Sequence, residues 1–237
     1  MAVLAWVVSE SHTGTVGSIS EASFAWSHAG NSSTKGILVF VVGLVTSNDD
    51  ALSIDYGGVD VPAVAGGFAQ DTVSEPMSCK AFFLGSAVLG GTQTVTVTRN
   101  NNTNELWASA VDVTAAANTE VTGVSLLQED GTLAQVNIDD GSPGANSQRF
   151  AGIASGLAAP PPVGANSTLN HDFDTGNQTA AVVRESVTGQ GSRPVGFSSG
   201  TSDDRAAVHL AVREVIVAAP QIRPFDPVPF MPRGRNL

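Results

Sequence analysis

Apolar residues in this chain come in short pulses separated by Gly, Asn and Asp, and no pulse carries a 3.6-residue period over helical length. The pattern predicts strands at 3–8, 16–26, 36–46, 51–56, 78–85, 92–98, 105–114, 121–128, 132–138, 148–157, 168–174, 178–187 and 206–217. The segment 92–98 is the clearest. Thr92, Thr94, Thr96 and Thr98 fall on one face and Gln93, Val95 and Val97 on the other, which describes one wet face and one buried face. From Gly36 to Thr46 there is almost no polar interruption, so this run is expected to be a central strand covered on both sides. Asn48-Asp49-Asp50, Gly57-Gly58, Gly66-Gly67, Gly90-Gly91, Asn100-Asn101-Asn102 and Asp140-Gly141-Ser142-Pro143-Gly144 supply the turns. Many short strands with regular turns favour an all-β antiparallel sandwich over alternating βαβ units.

Two segments compete with that reading. Ser202 to Val208 has a serine N-cap and acids suited to a first helical turn. However, 207–217 is rich in β-branched residues and places Val208, Leu210, Val212, Glu214 and Ile216 on one strand face, so a strand is expected. Gly156 to Gly164 contains three consecutive prolines and reads as a stiff loop. No repeat of 20–50 residues is evident. One sandwich domain over 1–217 is expected, followed by an arm over 218–237.

The arm is the most distinctive stretch. Pro220 to Leu237 holds five prolines, two phenylalanines, three arginines and one aspartate. Prolines at that density remove amide donors and fix φ, which leaves an extended polyproline-like conformation. Ile222, Phe225, Phe230 and Met231 cannot bury one another in such a segment, so they stay wet or enter a groove on another surface. With Arg223, Arg233 and Arg235 they are the candidate partner-binding residues.

Charge sharpens this. The chain carries a net −11, and 218–237 contributes three arginines against Asp226, or +2, which leaves −13 on 1–217. An acidic body with only Lys35 and Lys80 as lysines does not provide the clustered cations that a phosphate backbone requires. No nucleic-acid partner is expected. A single cysteine, Cys79, excludes an intrachain disulfide framework and reads as a small buried side chain. The apolar N-terminus lacks a basic flank, and no run reaches the ~18–20 residues that span a bilayer, so neither secretion nor membrane insertion is expected.

Candidate chemistry is thin. Gly196-Phe197-Ser198-Ser199-Gly200 matches the nucleophile-elbow pattern. That pattern needs Ser198 on a strand-to-helix turn with a histidine base nearby, and the α/β alternation that builds such a scaffold is missing. Only His209 follows. The acidic doublets Asp49-Asp50, Asp139-Asp140 and Asp203-Asp204, and the pair Asp172 and Asp174, offer oxygen ligands suited to calcium, but acids in solvated turns account for them as well. His12, His28, His171 and His209 are never spaced for a local zinc site. Glu21, Glu105 and Glu185 would pair only through tertiary proximity. Trp6, Trp26, Trp107, Phe24, Phe82, Phe83 and Tyr56 suit core packing better than a sugar-binding face. No cofactor is expected, and calcium is the one metal the acids suggest.

The order of segments resembles a β-sandwich domain of tailed-phage virion proteins. The resemblance rests on Ser23-Phe24-Ala25-Trp26-Ser27-His28, the buried run Gly36 to Val42, and the hairpin Ile54 to Val64. It continues through Ala81-Phe82-Phe83-Leu84 and Gly91 to Val97. It covers roughly residues 16–115 and implies a jelly-roll-like, concanavalin-type sandwich in a head-decoration or tail component. It carries no catalytic residues. The expectation is a non-enzymatic virion protein whose arm docks on other virion proteins or on copies of itself, as a homo-oligomer. A lectin-like module that attaches to host glycan is the alternative, and a hydrolase a weaker one.

Overall fold

A computed structural model describes residues 13–15, 23–30, 34–44, 53–73, 77–85, 88–99, 106–115, 118–128, 135–140, 147–157, 159–174, 178–186, 191–198 and 204–215. These residues form sixteen strands and no helix. In chain order they are β1 (Thr13–Thr15), β2 (Ser23–Ala29), β3 (Thr34–Leu44), β4 (Ser53–Tyr56), β5 (Val59–Val61), β6 (Ala63–Asp71), β7 (Met77–Leu84) and β8 (Thr92–Thr98). There follow β9 (Leu106–Thr114), β10 (Thr119–Gln128), β11 (Gln135–Ile138), β12 (Ser147–Ser155), β13 (Ser167–Asp174), β14 (Thr179–Glu185), β15 (Arg193–Gly196) and β16 (Arg205–Glu214). Every pairing is antiparallel. With no helix among the described residues, none is long and apolar enough to cross a membrane.

Four sheets result. Sheet I runs β2-β8-β4-β5, sheet II β1-β9-β3-β7-β6, sheet III β10-β16-β12-β14-β13, and sheet IV is the ribbon β11-β15. Side-chain alternation stacks them in that order. Along β3, Ile37, Val39 and Val41 pack towards sheet I, against Ile54, Val95 and Val97. Leu38, Phe40 and Val42 point the other way, against Phe150, Val208 and Leu210 of sheet III. This is why Gly36 to Gly43 has no wet face, as the unbroken apolar run predicted. On β8 the two faces separate as expected, with Val95 and Val97 buried and Thr92 and Thr94 exposed. On the other face of sheet III, Ala151, Ile153, Ala181 and Ala207 pack against Ile138, Val195 and Phe197 on the side of sheet IV. The described residues are therefore four layers deep, where the sequence pattern anticipated two.

The four layers repeat one plan. Reading β1, β2, β3, β6, β7, β8 and β9 against β10, β11, β12, β13, β14, β15 and β16, chain order and neighbours agree throughout. The order β1-β9-β3-β7-β6 becomes β10-β16-β12-β14-β13, and β2-β8 becomes β11-β15. Only β4 and β5 lack a counterpart. In the first half they form a hairpin closed by Gly57 and Gly58 at φ of 60° and 90°, the two positive dihedrals that a two-residue type I′ turn requires. In the second half the proline segment stands in their place. Val163 makes a single antiparallel bridge to Phe197, with Gly164 N donating to Gly196 O and Ser198 N to Pro162 O. This is the edge position that β4 occupies beside β8. Three prolines in a row cannot supply the ladder donors for a longer strand, so one bridge is all that forms. The repeat unit is about a hundred residues, beyond the periods sought in the sequence.

The strand expected at 206–217 is present as β16, not a helix. The proposed arm lies outside the described residues.

Candidate functional site

Among the described residues, buried ionisable side chains gather around His28 in the first half and around Arg149 in the second. In the first, His28 Nε2 at the end of β2 lies 2.7 Å from Asp112 Oδ1 on β9, with both side chains fully buried. Thr34 Oγ1 donates to the other carboxylate oxygen at 3.0 Å. The Tyr56 ring meets His28 edge-on at 6.2 Å, and its hydroxyl donates to Leu89 O at 3.2 Å. Burial, reinforced by the Asp112 charge, pushes the Tyr56 phenol up to about 12. The group ties β2, β3, β4 and β9 together from within and presents nothing to solvent.

The second centre is built on Arg149 of β12, which is fully buried. Its Nη1 donates to Glu185 Oε2 at 3.2 Å and to Ser147 Oγ at 3.1 Å, and its Nε donates to Ile138 O at 3.2 Å. Nη2 donates to Gly191 O and lies 3.5 Å from Asp140 Oδ2. Ser147 Oγ also donates to Asp140 at 2.6 Å, while Arg193 pairs with Glu185. A buried guanidinium stands only where its donors and charge are both answered, and here they are. Burial raises the Glu185 carboxyl above its ordinary range, although Arg149 and Arg193 pull it back. The network anchors the residues bordering 141–146 and 187–190. It is structural.

Other candidates fare similarly. Asp140 is 1% exposed and Asp204 7% exposed, so a solvated turn does not explain either of them. Asp172 and Asp174 are exposed on edge strand β13, and among the described residues no group of three or more His, Cys, Asp or Glu is placed to hold a metal ion. Ser198 is exposed beside the proline bridge, with its amide bonded to Pro162, and no helix follows it among the described residues. His209 is buried on β16, and desolvation lowers it to about 4. Cys79 is buried between sheets II and III, and burial raises its thiol to about 12, which makes it a poor nucleophile. Tyr56, Phe82, Phe83 and Trp107 are core residues, and Phe24 and Trp26 pack against the core. Asp49, Asp50, Asp203, His12, Trp6, Glu21 and Glu105 lie outside the described residues, as do the arm residues Ile222, Arg223, Phe225, Phe230, Met231, Arg233 and Arg235.

An open apolar feature lies where two edge strands meet. Val64 and Ala65 of β6, Phe83 of β7, and Val121, Thr122 and Val124 of β10 line a groove of about 310 Å³. Both edges are irregular there. The β6 register slips between Ala63 and Phe68, and the β10 register between Val121 and Gly123, so neither strand closes over the gap. The groove is at the small end of ligand clefts, of order 300–1,000 Å³. Nothing in the sequence pattern marked it, because it depends on two bulges meeting across layers.

Set against known protein families, curated proteins and solved structures, the chain matches none.

Proposed function

We propose that this chain is a non-enzymatic structural component of a virus particle of the tailed-phage type, decorating the head or attached to the tail. It would act as a rigid β block that docks on neighbouring subunits through its C-terminal arm. The observation that carries this reading is the contrast between body and arm. Within the body, the ionisable side chains that gather into centres, His28 with Asp112 and Arg149 with Asp140 and Glu185, are buried and spent on holding strands together. In the arm, Ile222, Phe225, Phe230 and Met231 and three arginines are threaded on prolines that prevent them from forming a core of their own.

The strand order supports a jelly-roll-like reading of the first half. With edge strand β6 set aside, the sheets β1-β9-β3-β7 and β2-β8-β4-β5 follow the two-sheet, eight-strand arrangement that jelly rolls use. Such blocks suit particle surfaces because their edges are short and their faces rigid. An acidic body and a basic arm add charge complementarity between copies. Deleting 220–237 and scoring incorporation into particles tests the proposal. Loss of incorporation with an intact fold is expected, and normal incorporation would refute it.

A further inference from the structure

We propose that the groove between β6 and β10 is the seat for the C-terminal arm of a second copy of this chain; this rests on the assembly reading above. Four observations converge on it.

The first is position. Val215 N donates to Asn118 O at 2.7 Å, so the chain leaves β16 beside the first residue of β10. Val121, which lines the groove, pairs with Val212 on β16. Groove and exit are thus about three strand residues apart, roughly 10 Å at ~3.4 Å per residue.

The second is reach. Phe225 and Phe230 follow Val215 by ten and fifteen residues. At ~3.1 Å per residue for an extended proline-rich segment, these separations span at most roughly 31 and 47 Å. A neighbour's groove is within that span.

The third is fit. The groove is lined by Val64, Phe83, Val121 and Val124, and about 310 Å³ is room enough for one or two side chains. An aromatic anchor on an extended strap is the occupant that such a site takes.

The fourth is polar. Thr122 lines the groove, and its hydroxyl is shielded from water and has no hydrogen-bond partner among the described residues. A proline-rich segment offers carbonyl acceptors that no strand ladder has consumed, and a rotation about χ1 turns this hydroxyl towards one. Charge agrees, since a +2 arm meets a −13 body.

The test uses full-length chains in sedimentation velocity over a concentration series. Wild type is expected to self-associate. Ala65→Arg blocks the groove at an exposed position, and Phe225→Asp with Phe230→Asp removes the anchors. Each is expected to weaken association by about thirtyfold or more. Mixing the two variants restores one intact arm and one intact groove, so a one-to-one pair returns. Val73→Arg, on an exposed residue outside the groove, leaves association unchanged. Val124→Arg repeats the block if Ala65→Arg lowers the melting temperature. A monomeric wild type, or an unproductive mixture, overturns the inference. So does an Ala65→Arg chain that associates normally while the arm variant does not; that pattern leaves the arm's role in assembly intact. If the arm variant associates like wild type, the assembly reading itself falls.

Discussion

The two halves of this molecule share a strand plan and differ in how they cover it. In the first, a four-stranded outer sheet lays Ile54, Tyr56, Val61, Val95 and Val97 over Ile37, Val39 and Val41. In the second, the hairpin is replaced by Pro160-Pro161-Pro162 with one bridge, and only a two-stranded ribbon remains. The sheet beneath has adapted. Its outward residues include Ala151, Ala181, Ala207 and Ala211, small enough for a thin cover to approach. Where apolar cover runs out, Arg149 and its carboxylates fill the space. One topology therefore tolerates either a wide apolar lid or a narrow lid with a satisfied ionic plug. The plan is fixed by which strands pair, not by what fills the layers.

The largest effect should come from the plug. Arg149→Ala takes the guanidinium from buried Asp140 and leaves Glu185 with Arg193 alone, and should cost about 3–5 kcal/mol in chemical denaturation. A loss below about 1 kcal/mol would mean that the second half does not depend on it. Replacing Arg149, Glu185 and Asp140 together with Met, Leu and Asn should recover much of the loss, because the buried carboxylates then go with their cation.

Acid should distinguish the halves next. His209, under the thin ribbon, is lowered to about 4 from an unfolded value near 6.5, so between those values the unfolded chain binds more protons. Its contribution is complete above pH 6.5 and is lost as pH falls through about 4, roughly 3 kcal/mol at most. Glu185 has the opposite sign. Raised above its usual value, it favours the fold most at low pH and less as pH rises through its folded value. A His209→Asn chain should therefore show a flatter stability profile between pH 6.5 and 4 than wild type. Identical profiles would sink the assignment.

The shared core offers a smaller, sharper probe. A Cβ on Gly152 of β12 would meet the Phe40 ring of β3 at 2.4 Å, so one half supplies the bulk and the other the hollow. Gly152→Val should cost about 1–3 kcal/mol by overpacking. Adding Phe40→Leu should return part of it, and the coupling is read from a double-mutant cycle. Smallest is the proline bridge. Replacing Pro160 to Pro162 with Thr-Val-Thr restores donors to the β4 position. It should change stability by less than about 1 kcal/mol while adding slowly exchanging amides opposite Phe197.

Individual strands were legible in the sequence; their stacking was not. Gly36 to Thr46 declared itself through an almost unbroken apolar run, 206–217 through β-branched residues that fall on one strand face, and Thr92 to Thr98 through alternation. The hairpin read at Ile54 to Val64 contains β5, but β1, β6 and β15 were not predicted as separate strands; Gly66-Gly67 interrupts β6 and Pro194 sits within β15. Burial on two faces says that a strand is covered, not by which sheet, so four layers read as two. Asp112 and His28 are 84 positions apart, and Arg149 and Glu185 are 36 apart; no spacing rule joins them. Asp140 looked like a turn acid because its partners come from β12 and from beyond β14. The groove stayed hidden for the same reason.

The decisive measurement is an image of the native assembly at a resolution that traces main chain. Residues 220–237 of one subunit should lie along the β6–β10 edge of its neighbour, with an aromatic side chain in the groove. Density showing the segment folded back on its own subunit, or none at all within an otherwise ordered particle, would contradict the account.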